Sequence, residues 1–227
     1  MRRGKFIVIE GTDCSGKETQ ALLLEKHMMN NGIPVKLLSF PMYETPTGDI
    51  VKRYLGKEPY EEQFGKAAEL DPKLSSIFYA YDRFFNKNII VDTLSNGINV
   101  LSNRYMESNM AHQGGKIKSK VERGRFNQWI KDIEYNVFGI PEADLVIFLY
   151  MPYQIGMKLK EGREGKPDGH EASEEHLKHA EKVYKELAKE NGWLKVECAP
   201  SGKIDSLKTP QQISREVVSL LEPVLSR

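Results

Sequence analysis

The feature that most constrains the fold is the short apolar run "KFIVIE", which leads directly into Gly11-x-x-x-x-Gly16-Lys17. A β-branched run of this kind reads as a strand buried on both faces. The glycines let the chain turn so that several backbone N–H groups face one anion. A helix expected from about Lys17 to Asn31, ended by "NNG", adds the positive end of its dipole. Lys17 supplies a point charge that reaches the β- and γ-phosphates of a nucleotide. Gly11, Thr12, Asp13, Cys14, Ser15, Gly16, Lys17, Glu18 and Thr19 therefore form a candidate nucleotide-binding loop, residues 11–19. The competing reading is a tight turn with a solvated lysine.

The rest of the chain repeats the same alternation. "PVKLLSF", "INVLSN", "ADLVIFLYM" and the weaker "WLKVEC" have strand length. Amphipathic segments of helix length lie between them, at Pro72–Leu94, Val121–Val137 and Glu174–Asn191. Strands alternating with helices predict an α/β fold with a parallel sheet of five strands covered on both faces. "KLKEGREGKPDGHEASEE", residues 158–175, breaks the pattern with three glycines, a proline and many charges. It reads as a solvated linker or a mobile lid.

Composition narrows the partners. With 33 basic and 32 acidic residues the formal charge is +1, which argues against nucleic-acid binding by bulk charge. Two cysteines without a C-x-x-C pair argue against both a disulfide scaffold and a zinc site, and suit a reducing, cytoplasmic setting. The opening apolar run is too short for a signal peptide, and no run has the length of a membrane span.

One position departs from the loop pattern. After Gly16-Lys17, where a hydroxyl normally ligates Mg²⁺, stands Glu18. Thr19 points in another direction, because a helix turns about 100° per residue. Glu18 either faces solvent, with water and phosphate completing the metal shell, or itself ligates Mg²⁺, or marks a damaged loop.

Four stretches in order, "IEGTDCSGKETQ", "FPMYETPTGDIVKRYL", "IFYAYDRFFN" and "SNRYMESNMAHQGG", resemble the thymidylate kinases (dTMP kinases). "GIPEADLVIFL" and "DGHE" extend the resemblance almost end to end. It implies a P-loop NTPase-type fold with a mobile lid, a single kinase domain over residues 1–227, and transfer of the γ-phosphoryl group of ATP to dTMP with Mg²⁺. It also implies a homodimer, which fits the amphipathic segment from Ser75 to Leu94.

The resemblance assigns roles residue by residue. Arg104 holds the dTMP phosphate, a task suited to the planar guanidinium fork. Asn103 replaces the aspartate that usually precedes that arginine, so Glu18 and Asn103 are both altered metal-side positions. Arg83 reaches the base and phosphate region, and Tyr79, one helical turn earlier, stacks on thymine. Phe40, Pro41 and Tyr43 line the nucleoside pocket, with Leu55 on its wall. Thr45 caps the helix that begins at Pro46. Ser108 and Asn109 meet the thymine edge, and His112 stands where an aromatic ring faces the sugar C2′. Asp13 takes the sugar 3′-hydroxyl and helps position the phosphate. Cys14 occupies a place where some members carry a catalytic arginine, so the missing cation is expected from the lid residues Arg163 and Lys166. Asp168 and Glu171 resemble lid carboxylates.

Two other readings stay open. A kinase for another deoxynucleoside monophosphate, or for a deoxynucleoside, uses the same loop. A nucleotide-binding homologue without catalysis is suggested by Glu18 and Asn103. A GTPase switch is disfavoured because "NKNI" at 86–89 lacks the aspartate of the guanine-reading motif.

Overall fold

The structure, a computed structural model, describes residues 2–160, 168–170 and 173–225. Five strands form one parallel sheet: β1 (Phe6–Gly11), β2 (Val35–Ser39), β3 (Asn99–Asn103), β4 (Leu145–Tyr150) and β5 (Leu194–Glu197), in the order β2-β3-β1-β4-β5. Every residue of β1 is buried, as a central strand covered on both faces requires. Its side chains alternate. Phe6 and Val8 join one core with Val100, Val146 and Phe148, while Ile7 and Ile9 join a second with Leu101, Ile147 and Leu149.

The helices divide between these cores. On one face α1 (Lys17–Asn30) packs on α8 (Pro210–Leu225), burying Leu24 and Met28 with Ile213, Val217 and Leu221. The other core is covered by α3 (Pro72–Ser95), α4 (Met106–Gly114), α5 (Lys120–Lys131) and α7 (Glu174–Glu190). A short α2 (Pro46–Leu55) leans on α3 and builds a third cluster around Val51, Tyr54 and Leu55. Two details of α2 follow from its sequence. Thr45 Oγ1 accepts a hydrogen bond from Gly48 N at 3.1 Å, a cap worth about 1 kcal/mol. Gly48 lies so close to Met42 O that an added Cβ would sit 2.0 Å from it.

β1 is the topological switch point. It hands the chain toward β2 on one side, while β4 hands it toward β5 on the other. Ligands of open α/β sheets bind in the crevice this creates at the strand C-termini.

Three expectations need correction. The segment Val121–Val137 is not one α-helix: α5 ends at Lys131 and a π-helical stretch, Asp132–Val137, follows. Arg123, Phe126, Ile130 and Glu134 still bury at spacings of three and four, so sequence periodicity is the same for both. The 158–175 segment is not all loop. Lys158–Lys160 complete α6 (Tyr153–Lys160), and Ser173 Oγ caps α7 by accepting from His176 N. Neither α6 nor the C-terminal α8 was among the expected elements.

Candidate active site

The loop after β1 is held from three directions. Thr12 Oγ1 donates to Met151 O at 2.6 Å and accepts from Met151 N at 2.8 Å, tying it to the end of β4. Gly11 is pressed against Ser15 Oγ and Leu149 O, leaving no room for a Cβ. Gly16 has φ +81°, a left-handed conformation that glycine adopts without strain. Gly156 of α6 approaches Asp13 O, where a Cβ would lie at 3.0 Å. The result is a rigid turn at the N-terminus of α1.

Lys17 is buried, and its Nζ donates to Gly11 O at 3.0 Å and Thr12 O at 2.9 Å. Burial, helped by the Arg104 charge, pulls its ammonium down to about 8. Glu18 and Thr19 are exposed. Cys14 is half-buried with φ +59°.

Opposite the loop, Arg104 follows β3 with φ +66°. Its guanidinium donates to Asp13 Oδ1 at 3.2 Å, to Ser108 Oγ at 3.2 Å, and faces His112 Nε2 at 3.4 Å. Burial raises the Asp13 carboxyl, but His112, Arg104, Lys17 and Lys160 lower it more and hold it well below the carboxylate range. His112 is itself kept neutral at neutral pH by burial, so the arginine and the lysines supply the charge. Two cations and one carboxylate thus converge at the end of β1, a net positive site for an anion.

A cavity of about 410 Å³ opens beside this group. Asp13, Glu18, Asn103 and Arg104 border its polar side, and Phe40, Leu55 and Tyr79 its apolar wall. Pro41, Tyr43, Arg83, Ser108, Asn109, His112 and Asp168 also line it. Such a slot, with charged and polar groups on one side and an apolar wall on the other, suits a flat heterocycle carrying a charged end. Asn109 Oδ1 and Gln113 Nε2 are buried without a protein partner, and both residues are part of the cavity lining. Asn103 Nδ2 donates to Ser39 Oγ at 3.1 Å, while its Oδ1 is also buried and unpartnered.

Residues 9–208 match the family model described as "Thymidylate kinase". The chain belongs to the thymidylate kinase family. It is 29% identical over 223 residues to the thymidylate kinase of Plasmodium falciparum (isolate 3D7), covering 98% of this chain and 94% of that one. It is 28% identical over 225 residues to that of Dictyostelium discoideum, covering 98% and 86%. The fold matches the solved thymidylate kinase of Candida albicans with a TM-score of 0.71 at 23% identity, over 97% and 92% of the two chains.

Against this family frame, two expected site residues are already engaged. Arg83 is 2% exposed and its Nε and NH2 both donate to the Glu134 carboxylate at 2.5 Å, while NH1 faces Tyr105 O at 3.4 Å. Ser108 Oγ donates to Glu10 Oε2 at 2.7 Å as well as accepting from Arg104. Arg163, Lys166 and Glu171 lie outside the described residues.

The site also contains residues that motif reading did not single out. Glu10, fully buried at the end of β1, accepts from Tyr105 N at 2.9 Å, Ser108 N at 3.0 Å and Tyr184 Oη at 3.0 Å. It anchors the N-terminus of α4, which has no cap of its own. Asp82 accepts from Met42 N and Thr47 Oγ1, both at 2.8 Å, and so fastens the Phe40–Pro41 loop to α3. Each left a signal: a carboxylate inside an apolar strand or on an inward helix face must be paired. Lys57 and His170 also line the cavity, and nothing in their local sequence sets them apart.

Proposed function

We propose that this protein, an ATP-dependent nucleotide kinase by family, transfers the γ-phosphoryl group of ATP to dTMP, giving dTDP and ADP. The observation that carries the reading is the meeting of Lys17, Arg104 and Asp13 at one end of a cavity whose far wall is Tyr79, Phe40 and Leu55. Bringing two anionic phosphates in line is mainly a problem of positioning and charge neutralisation. Lys17 and the loop N–H groups hold the donor phosphates. Arg104, preset by Asp13 and Ser108, holds the acceptor phosphate and exchanges these partners for it. Tyr79 stacks on the base, and Asn109 and Gln113 meet its edge. Arg83 acts through its remaining NH1 and through the shape of the cavity wall. A coupled ADP-release assay with Mg²⁺-ATP against dTMP, dUMP, the ribonucleotide of thymine and thymidine tests the reading. Turnover is expected with dTMP; turnover with thymidine and not dTMP overturns it.

Mg²⁺ accompanies ATP in this reading. The residues present fit it: Glu18 offers an exposed carboxylate at the loop, and Asn103 an unpartnered carbonyl oxygen, on the same cavity. Mg²⁺ retains several waters and needs only one or two protein oxygens. When bound it neutralises charge on the transferring phosphates. If the carboxylate at 18 compensates for the amide at 103, Glu18→Ser lowers kcat and raises the Mg²⁺ concentration for half-maximal activity several-fold. Mg²⁺ titration of the variant measures this, and an unchanged dependence assigns Glu18 to solvent. The lid residues Arg163 and Lys166 supply the further cation that Cys14 does not, with Asp168 and Glu171 as its carboxylates.

We further propose that the chain works in the cytoplasm as a homodimer through α3. Leu74, Tyr81 and Phe85 fall within one narrow face at i, i+7 and i+11, and are 50%, 37% and 57% exposed. Tyr81 and Phe85 rings lie 4.5 Å apart, forming a continuous apolar stripe. An apolar stripe of this kind on a long helix suits burial against a second copy. Phe85→Glu is expected to shift the chain to a monomer in analytical ultracentrifugation while leaving the circular dichroism spectrum unchanged. No helix among the described residues is long and apolar enough to cross a membrane.

A further inference from the structure

The chain has five histidines, and three of them, His112, His170 and His176, meet in one place. They come from three separate parts of the chain: α4, the 168–170 segment and the first turn of α7. All three are more than nine-tenths buried. One ring nitrogen from each lies within 4.8 Å of the other two. We propose that these imidazoles form a site for a divalent transition metal ion of the Zn²⁺ or Co²⁺ class, tying the 168–170 segment to α4 and α7.

One pair of nitrogens already has the spacing such an ion needs. Tetrahedral coordination at a Zn–N length of about 2.0–2.1 Å puts ligand nitrogens about 3.3–3.4 Å apart. His112 Nδ1 and His176 Nε2 are 3.3 Å apart. His170 is stacked on His176, with ring centroids 4.3 Å apart and planes at 24°, so its ring must swing out of that stack for its lone pair to meet the other two. Tautomers agree as well. Tyr54 Oη lies 2.8 Å from Ala67 O and 2.9 Å from His170 Nε2. With its proton on Ala67 O it accepts from His170 Nε2, which leaves Nδ1 as the ligand atom, the arrangement metal-binding histidines adopt with their supporting groups. Imidazoles must be neutral to ligate. Burial holds His112 and His170 well below the usual histidine range and, with Lys116 nearby, holds His176 at about 4.

Three nitrogen donors select a borderline ion of this class and not Mg²⁺, which takes oxygen. His112 and His170 both border the large cavity, through which an ion would enter and a water would complete its shell. Ligation through Nδ1 puts the His112 proton on Nε2, opposite the Arg104 Nη1 donor now 3.4 Å away. Two donors repel, so metal uptake removes that contact and leaves Arg104 on Asp13 and Ser108, which it already meets.

The test uses the full chain without nucleotide, so that it stands apart from any assay of kinase turnover. Isothermal titration with Zn²⁺ and the visible spectrum on adding Co²⁺ are expected to show one site per chain with a tetrahedral signature. His170→Asn and His176→Asn should each weaken binding at least about 10-fold, and His179→Asn should not. Tyr54→Phe keeps every ligand and should still cost about 10-fold through the lost support of His170. Absence of one-to-one binding in the wild-type chain overturns the site whatever the variants do. So does an affinity that neither His170→Asn nor His176→Asn changes.

Discussion

Replacing Lys17 by methionine is expected to lower kcat by about 10²–10³ or more, with folding intact. The side chain is buried in the loop, where its ammonium donates to Gly11 O and Thr12 O, and in the proposed reaction it is the charge that meets the donor phosphates. In a site closed to water, one preorganised cation or donor is worth roughly 3–4 kcal/mol of transition-state stabilisation. Methionine fills a similar volume and removes the charge together with the two hydrogen bonds to Gly11 O and Thr12 O. The measurement is kcat and KM for ATP and dTMP in the same coupled assay. A loss confined to the ATP KM makes Lys17 a ground-state contact and removes it from the catalytic set. The wild-type enzyme offers a second check. In the empty loop the Lys17 charge is lost as pH rises through about 8. Anionic phosphates restore it, so ATP binding above that pH should take up a proton. Titration calorimetry in buffers of different ionisation enthalpy reads that uptake.

The second large effect concerns stability. Glu134→Ala is expected to destabilise the fold by about 3–5 kcal/mol, because it leaves the Arg83 guanidinium buried without its charge partner. For a chain of this size each kcal/mol lowers Tm by about 2–4 °C, so a fall of about 6–20 °C should appear in calorimetry. The double variant Arg83→Met with Glu134→Leu removes both charges and should recover most of the loss, since apolar replacements of buried pairs are often neutral. Its dTMP KM separates the two roles of Arg83. A KM that stays raised in a stable double variant assigns Arg83 to the nucleotide. A normal KM makes it a structural ion pair only.

These variants also mark where sequence reading stops. The Lys17 prediction needs little beyond "IEGTDCSGKETQ", because a strand, a glycine turn and a helix start are adjacent in the chain. The Arg83 prediction could not be made that way. Its partner Glu134 lies 51 positions on, in a π-helical stretch that sequence periodicity reads as plain helix. Thr45 was legible as a cap because capping is local. Asp82, which fastens the Phe40–Pro41 loop, was not, because its donors Met42 N and Thr47 Oγ1 lie 35 or more residues away. The missed α8 differs again. "ISREVVSLL" carries apolar residues at Ile213, Val217 and Leu221, a helical spacing that a search for periodic faces would find.

The sequence by itself determined the alternation of strands and most helices, the glycine loop that leads into α1, and, through its resemblance to a family, many of the residues that surround the cavity. The first two depend on neighbours within a few positions, and the third on motifs of fixed spacing. Tertiary structure alone decided which charges are already paired. It placed Glu10 under the start of α4, Asp13 against Arg104 and Glu134 against Arg83. It also brought three histidines from distant segments into one buried cluster. The physical reason is the same in each case. Buried polar groups must find partners, and the partner is fixed by where the sheet order and helix packing bring the chain together.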